Sequence, residues 1–282
     1  MNQKIIVNVE AFSRSLIPEK ILHREKELAQ LLDNLQNSVS TAIIGSCGSG
    51  KTLLVKRAVH NFNNSKKGYA CYIDCSVYQT TYSVLKEVIP RSEFVLYRSN
   101  YELIKELLKQ TRERKFAICL DNFEHLKEKE LIARFMTIGL SVILVSDNEE
   151  SFSSLSESIR SNIPSIIRLS NYIAEQAFDI LKDRAEKGLA KWTYSEAVIK
   201  KIAERIKGNI ALGINALKVA ALKAESESKK AIEETDIPEI SNDCPPKLSE
   251  DERVLLNILK EWKSLPSCRL YAFYREKARH PK

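Results

Sequence analysis

The sequence predicts an α/β protein, with a parallel sheet in an amino-terminal module, an all-helical second module and a short helical segment at the carboxyl end. Three observations support this prediction. Short apolar runs alternate with helical segments over about 170 residues, a glycine-rich loop motif follows the first run, and the strand pattern stops after Tyr172. We therefore divide the chain into residues 1–170, 171–240 and 241–282.

Five apolar runs predict the strands of the sheet. They are rich in β-branched side chains and comprise residues 41–45, 69–75, 116–121, 141–146 and 163–169. Four segments with helical periodicity lie among them, at 52–62, 82–89, 101–112 and 125–137. Strands that are joined through helices run parallel, because each crossover returns the chain to the same end of the sheet. The first module is thus expected to be one parallel sheet covered by helices.

The second module carries helix signals alone. Amphipathic periodicity predicts three helices, over 174–187, 195–206 and 212–230. The pair Gly208-Asn209 separates the last two. Residues 238–247 contain Cys244-Pro245-Pro246 and have the composition of a linker, because proline and the residue before it resist helix formation. A further helix is expected over 248–263.

Composition limits the classes of protein to which the chain can belong. Hydrophobic residues make up 44% of the 282 residues and charged residues 29%, which excludes a disordered, collagen-like or low-complexity chain. No apolar run approaches the roughly 18 residues of a membrane-spanning helix, and the polar start lacks the apolar stretch of a secretory signal. We expect a cytoplasmic protein with no membrane partner.

The charge and the cysteines narrow the expected chemistry further. The net charge of +7 favours polyanionic partners, and basic residues crowd the final segment between Arg269 and Lys282. The six cysteines are scattered, without the paired spacing of a zinc site, so we expect reduced thiols. Cys71, Cys75 and Cys119 lie within apolar runs, where a thiol packs as a small hydrophobic group. We expect these three in the core.

Residues 45–52, Gly-Ser-Cys-Gly-Ser-Gly-Lys-Thr, match the phosphate-binding P-loop pattern G-x-x-x-x-G-K-[ST]. A strand run precedes them and a helical run follows, which is the context that this motif requires. The glycines let backbone N–H groups and the helix N-terminus face phosphate oxygens, and the lysine adds a positive charge near the β and γ phosphates. The residues expected to bind ATP or ADP here are Gly48, Ser49, Gly50, Lys51, Thr52 and Leu53.

A carboxylate ends the third strand run, at Asp121. Such a residue at a strand tip can hold Mg²⁺ beside the P-loop hydroxyl, usually through water, so Thr52 and Asp121 are the predicted metal ligands. A strand-end Asp can also serve simply as a helix cap. The strand that intervenes between the P-loop and Asp121 favours the metal site.

Several ordered motifs resemble those of the archaeal origin-recognition (ORC/Cdc-type) replication initiators of the AAA+ superfamily. The similar stretches are 21–28 (Ile-Leu-His-Arg-Glu-Lys-Glu-Leu), 71–75 with 78–85, 120–126 (Leu-Asp-Asn-Phe-Glu-His-Leu), 141–148, 171–172 and 178–186. The resemblance implies an AAA+ P-loop sheet with a helical lid domain. It also implies that His23 and Arg24 flank the base of the nucleotide, and that Tyr172 and Arg184 approach the nucleotide from the lid.

The sequence departs from the family's pattern at positions that serve hydrolysis. Asn122 replaces the water-activating Glu, and Ala211 replaces the lid arginine called sensor 2. Asp147 stands where the sensor 1 Asn is expected, with Asn148 beside it, and Ser158 stands where the arginine finger would fall. Losing such groups lowers the rate on the order of 10³-fold or more, so we expect weak or absent ATPase activity. The candidate catalytic residues are Lys51, Asp121, Asn148 and Arg160, the last as a displaced arginine finger.

The final segment bears on nucleic-acid binding. Residues 248–256 and 270–275 resemble the first two helices of the family's winged-helix domain, and the chain ends at Lys282 before a recognition helix. We therefore expect double-stranded DNA, bound with weak sequence selectivity through its phosphates, and other initiator or replication subunits as partners. Four basic residues of an expected helical insertion are further candidates for DNA contact, although a solvated helix face is the favoured explanation. They are Arg91, Arg98, Lys105 and Lys109.

The leading hypothesis is an initiator-like AAA+ protein that binds ATP or ADP and whose nucleotide switches its binding to DNA or to another initiator subunit. Two alternatives stay open at this stage. One is an active P-loop ATPase of the signalling or defence type with no role for DNA, which steady phosphate release would favour. The other is a structural subunit that retains ADP, which the nucleotide found on purified protein would distinguish.

Overall fold

The computed structural model describes residues 4–13, 16–89, 99–113 and 115–240, together with Arg269 and Tyr274. Several sequence predictions lie outside the described residues. They are the DNA candidates Arg91 and Arg98, the cysteines Cys244 and Cys268, most of the linker, and all but two residues of the winged-helix-like segment.

The predicted parallel sheet is confirmed. Its strands are β1 (Thr41–Gly45), β2 (Tyr69–Asp74), β3 (Phe116–Asp121), β4 (Ser141–Ser146) and β5 (Ser165–Leu169). They pair in the order β2-β3-β4-β1-β5, and every pair is parallel. Strands β3 and β4 are buried along their whole length, as expected for a sheet that is covered on both faces. The carboxyl ends of β1, β3 and β4 therefore lie side by side at one edge.

Seven helices accompany the described part of the sheet. They are α1 (Glu25–Gln36), α2 (Lys51–Asn64), α3 (Thr81–Val88), α4 (Asn100–Glu113), α5 (Glu130–Thr137), α6 (Glu149–Ser153) and α7 (Glu157–Arg160). One apolar cluster includes Phe123 and Phe135, and a second includes Leu31 and Phe62. Both clusters contain alternate side chains of the strands, so the sheet is packed on its two faces.

The helical second module is also confirmed. It consists of α8 (Ala174–Gly188), α9 (Glu196–Arg205) and α10 (Ile210–Ser226), which pack around Leu181, Ile199 and Leu217. Helix α10 begins two residues before the predicted start, because the Oδ1 atom of Asn209 accepts the Leu212 N–H at 3.3 Å and caps it. We call this module the lid.

Residues 4–13 pack on the lid, although the sequence assigned residues 1–170 to the sheet module. Ile5 and Phe12 are buried in the apolar cluster of the lid. Glu225 Oε1 accepts the N–H groups of Ile5 at 2.7 Å and Ile6 at 2.8 Å, and Ile6 pairs with Leu189 in an antiparallel bridge. We call residues 4–13 the amino-terminal strap.

The expected core placement is confirmed for Cys75 and Cys119, whereas Cys71 packs against the core from a half-buried position. Cys75 and Cys119 are fully buried, and Cys71 is half-buried beside Glu87. Burial raises the pKa of the Cys75 and Cys119 thiols. Nearby carboxylates raise the pKa of Cys75 further, and Cys71 and Asp121 raise that of Cys119. Burial, with a contribution from Glu87, raises the pKa of Cys71 to about 12. Within the described ranges, the longest apolar helices fall short of what a bilayer crossing demands.

Candidate nucleotide-binding site

The P-loop, residues 45–52, connects β1 to α2 at the carboxyl edge of the sheet. Gly48 and Gly50 adopt φ values of +81° and +94°, a backbone conformation that L side chains rarely adopt. A Cβ atom on Gly48 would lie 2.0 Å from Asn209 Oδ1, and one on Gly50 would lie 2.9 Å from the Tyr172 hydroxyl. Both glycines are therefore required by backbone conformation and by close contact with the lid.

Lys51 is the first residue of α2 and is 95% buried, with an exposed fraction of 5%. Its Nζ atom donates to the carbonyl oxygens of Gly45 at 2.5 Å and Ser46 at 2.8 Å. It also forms an ion pair with Asp147 Oδ1 at 2.7 Å. The lysine is thus aimed back over the loop that precedes it, where a phosphate group would lie in a P-loop site.

The predicted metal ligands come together. Thr52 Oγ1 donates to Asp121 Oδ2 at 2.6 Å, and the Tyr72 hydroxyl donates to the same oxygen at 2.7 Å. Burial first, and then the Asp121 carboxylate, raises the pKa of Tyr72, so this hydroxyl keeps its proton. Next to them, Asn122 donates from Nδ2 to Asp74 Oδ1 at 2.9 Å.

A hydroxyl and a carboxylate in contact fit Mg²⁺ that is held mainly by phosphate oxygens and water, which is the coordination this ion prefers in nucleotide sites. Within the described ranges, no group of three or more His, Cys, Asp or Glu side chains could hold a metal on its own. A cation here would therefore depend on a phosphate ligand. Thr52 and Asp121 would hold it, and the ion would neutralise phosphate charge.

A cavity of about 620 Å³ opens over the P-loop, within the usual range for small-molecule sites. Its walls are the P-loop, the carboxyl ends of β2 and β3, Asp147 after β4, the end of the strap with the residues that follow it, and Arg184 and α10 of the lid. A smaller apolar pocket adjoins it, also bounded by Gly50 and Leu53 of the P-loop and α2, and by Ile210 and Ile214 of α10. The larger cavity contains Lys51, Thr52 and Asp121, which suit a phosphate tail, whereas the adjoining pocket is mainly apolar and measures about 60 Å³.

Arg24 and His23 hold the walls of the site together. Arg24 is buried, donates to the carbonyl oxygens of Ser49 at 3.4 Å and of Ser170, and places its guanidinium 4.2 Å from the Tyr172 ring centroid. His23 has φ of +61°, and its Nε2 atom lies 2.9 Å from Asp179 Oδ2 on α8. Neither side chain is among the residues that line the two cavities, so their predicted contact with the base stays a prediction.

Tyr172 and Arg184, for which the resemblance predicts nucleotide contacts from the lid, both line the cavities over the P-loop. Tyr172 lines the apolar pocket, and Arg184 lines both cavities. Burial raises the pKa of Tyr172, although the adjacent Arg24 lowers it. Arg184 is also buried, which lowers its pKa, and its Nη1 atom donates to the Ala11 carbonyl at 3.2 Å. Arg184 therefore connects the cavity to the strap.

The two remaining catalytic candidates are placed elsewhere. Asn148 Oδ1 accepts the Ser151 N–H at 2.9 Å and caps α6, whereas its neighbour Asp147 reaches the P-loop lysine. Arg160 is exposed at the end of α7 and does not line either cavity. An arginine finger acts on a neighbouring subunit, so an exposed position is compatible with that prediction without testing it.

The cavity also has lining residues that sequence reasoning missed. They are Lys56, Tyr72, Asp74, Ile210, Ile214 and Lys218, among others. Ala211, Ile214 and Lys218 recur at intervals of three and four on α10, so they share one helix face. That spacing, counted from the Ala211 position, is the signal from which the lid side of the cavity could have been found.

Comparison with known proteins agrees with this geometry. The chain matches the family model "AAA domain" over residues 33–151 and the model "Cdc6 AAA+ ATPase-type lid domain" over residues 178–241. A parallel sheet with a P-loop and this helical lid defines a P-loop ATPase of the AAA+ class. The chain belongs, more narrowly, to the Cdc6/ORC-type AAA+ proteins.

Curated relatives cover nearly the whole chain. ORC1-type DNA replication protein 2 of Methanothermobacter thermautotrophicus is 25% identical over 98% of this chain and 82% of its own length. ORC1-type DNA replication protein 9 of Halobacterium salinarum is 23% identical over 99% of this chain and 85% of its own length.

Solved structures share the fold. Cdc6p from Pyrobaculum aerophilum superposes with a TM-score of 0.73 at 24% identity, over 96% of this chain and 84% of that one. The Aeropyrum pernix ORC1 protein in complex with DNA has a TM-score of 0.75 at 19% identity, over 98% of this chain and 82% of that one.

Proposed function

We propose that the protein is a replication initiator of the ORC/Cdc6 type in which bound ATP or ADP, with Mg²⁺, sets the position of the lid. Hydrolysis is weak or absent, and the output is binding to double-stranded DNA or to another initiator subunit. The observation that carries the proposal is that the lid and the segment leading into it contact the P-loop directly, at Ser46, Gly48 and Gly50.

Each of the three contacts joins the loop to a different atom of the lid side. Ser46 Oγ donates to the Asn171 side chain. The Gly48 carbonyl accepts the Ile210 N–H at 3.3 Å, at the beginning of α10. Gly50 packs against the Tyr172 hydroxyl. A phosphate tail that enters the loop must compete with or reshape these contacts, so nucleotide occupancy and lid position are coupled.

The chain's own residues have separate roles in this mechanism. The loop N–H groups and Lys51 bind phosphate oxygens, and Thr52 with Asp121 would hold the metal ion, which neutralises phosphate charge when bound. Arg24 keeps the loop against Tyr172. Arg184 links the cavity wall to the strap, so a movement of the lid carries the strap with it.

The proposal of weak hydrolysis depends on three side chains near the P-loop. The Asn122 amide cannot accept a proton from water at neutral pH, and it already donates to Asp74. Ala211 lines the cavity with a methyl group in place of a cation. Asp147 places a negative charge where developing negative charge must be stabilised.

The proposed DNA partner is supported by charge and by relatives. The chain carries a net charge of +7, and the Aeropyrum pernix ORC1 protein was solved in complex with DNA. Phosphate contacts alone would make the affinity fall steeply with salt. Lys105 and Lys109 lie on α4, but Lys109 pairs with Glu106 at 2.9 Å, in keeping with a solvated helix face.

Fluorescent Mg-ADP titration tests nucleotide binding directly. Lys51→Ala should weaken binding by 100-fold or more while the helical circular dichroism signal is retained, because the loop loses its one side-chain cation. Lys200→Ala, an exposed change on α9, is the matched control and should bind as the wild type does. Equal affinity of Lys51→Ala and wild type would refute the site. Duplex DNA titrated from low to high salt, with and without nucleotide, tests the output.

A further inference from the structure

Three oxygen atoms surround the Lys51 ammonium in this structure, two of them hydrogen-bond acceptors and one the oxygen of an ion pair. Its Nζ atom lies 2.5 Å from the Gly45 carbonyl, 2.8 Å from the Ser46 carbonyl and 2.7 Å from Asp147 Oδ1. An ammonium group has three donors and no more. A phosphate oxygen that binds this nitrogen therefore competes with the oxygens already around it.

Asp147 is the acceptor whose place an anionic oxygen would take. The two carbonyls belong to the loop backbone, whereas Asp147 is a side chain that follows the carboxyl end of β4. It lines the cavity and retains a side-chain exposure of 28%. Its carboxylate is negatively charged, as a phosphate oxygen is, so the two compete for the Lys51 ammonium.

We infer that Asp147 is a specificity-determining residue that disfavours a terminal phosphate and biases the site toward a nucleoside diphosphate. The inference rests on the proposed nucleotide binding. Loop amides and Lys51 would hold the β-phosphate of either nucleotide, but only a triphosphate brings a further phosphate group toward Asp147. Like charges about 5 Å apart in a partly buried site repel strongly enough to change an affinity by 10-fold or more.

Isothermal titration calorimetry with Mg-ADP and with the non-hydrolysable analogue Mg-AMPPNP measures this bias without any catalytic turnover. We expect the full chain to bind ADP at least 10-fold more tightly than AMPPNP. Asp147→Asn keeps the shape of the side chain and removes its charge, and should reduce this ratio by about 10-fold. Asp147→Ala should act in the same direction. Glu150→Gln, the same charge change at an exposed position of α6, is the matched control and should leave the ratio unchanged.

The outcomes separate this inference from the proposed function. Binding of neither nucleotide to the wild type overturns the proposed function. Binding of both, with a ratio that Asp147→Asn leaves unchanged, overturns the role of Asp147 alone. An equal shift for Glu150→Gln would also overturn it, because the effect would then be one of general charge. A ratio that changes for the two Asp147 variants and not for the control supports the inference.

Discussion

Replacing Gly48 by alanine tests the contact between the P-loop and the lid. The residue has a φ of +81°, and the new Cβ atom would lie 2.0 Å from Asn209 Oδ1 and 2.3 Å from Asn209 Cγ. An alanine in this backbone conformation is less stable than glycine by about 1–2 kcal/mol. Moving the Asn209 side chain also removes the cap of α10, which contributes about 1 kcal/mol. The free energy of unfolding should fall by about 2–3 kcal/mol.

The two contributions can be separated in a double-mutant cycle followed by urea denaturation and circular dichroism. Asn209→Ala alone should destabilise by about 1 kcal/mol through loss of the cap. In Gly48→Ala the cap is already lost, so adding Asn209→Ala should cause little further loss, with a coupling energy of about 1 kcal/mol. Strict additivity, within about 0.3 kcal/mol, would refute the contact.

Gly139→Ala is the matched control for backbone strain. Gly139 has a φ of +84°, but a Cβ atom there would meet nothing within 4 Å. This variant should lose about 1–2 kcal/mol from conformation alone. Its effect should add independently to that of Asn209→Ala. Coupling of the control to Asn209 would show that the urea transition reports on something other than the contact between loop and lid.

Two further predictions concern thiol reactivity and the strap. At pH 8, burial and raised pKa values leave Cys75 and Cys119 almost entirely as thiols, so peptide mass spectrometry should find them unalkylated until the protein is unfolded. Cys47 lines the cavity, so Mg-ADP should slow its alkylation. Alkylation of Cys119 in the folded protein as fast as that of Cys47 would contradict this burial. Glu225→Ala removes the charged acceptor of two strap N–H groups. It should lower the urea midpoint by an amount equivalent to about 2–3 kcal/mol. The exposed control Glu204→Ala should change the stability by no more than about 0.5 kcal/mol. Equal midpoints for the two variants would show that the strap is not held by this side chain.

The alternation of apolar runs and helical periodicity predicted the sheet because it depends on local patterns, but element ends depended on particular residues. Strand β5 begins at Ser165 and not at Ile163, since the intervening Pro164 has no N–H to give to a parallel neighbour. Helix α10 ends at Ser226, before the predicted end, where Ser228 takes a φ of +56° and Lys229 N–H returns to the Ala224 carbonyl.

Long-range features could not be predicted in the same way. The strap lies on the lid because Ile5 and Ile6 find an apolar cluster and a Glu225 acceptor about 220 residues away, and no local pattern encodes that partner. The sequence favoured Asn148 over Asp147 as the catalytic candidate, since no local pattern shows which of two adjacent residues after a strand end points toward the P-loop. In the structure Asn148 caps α6, and Asp147 forms the ion pair with Lys51.

The size of the loop-to-lid contacts makes a nucleotide switch energetically reasonable. The Ser46 and Gly48 hydrogen bonds each contribute about 1 kcal/mol, and the packing of Gly50 on Tyr172 adds an amount of the same order. Their sum, about 3 kcal/mol, falls at the upper end of the coupling energies that link two sites in allosteric proteins. A phosphate tail that releases all three contacts would thus shift the lid equilibrium by about 100-fold, which is enough to change a partner's affinity without unfolding either module.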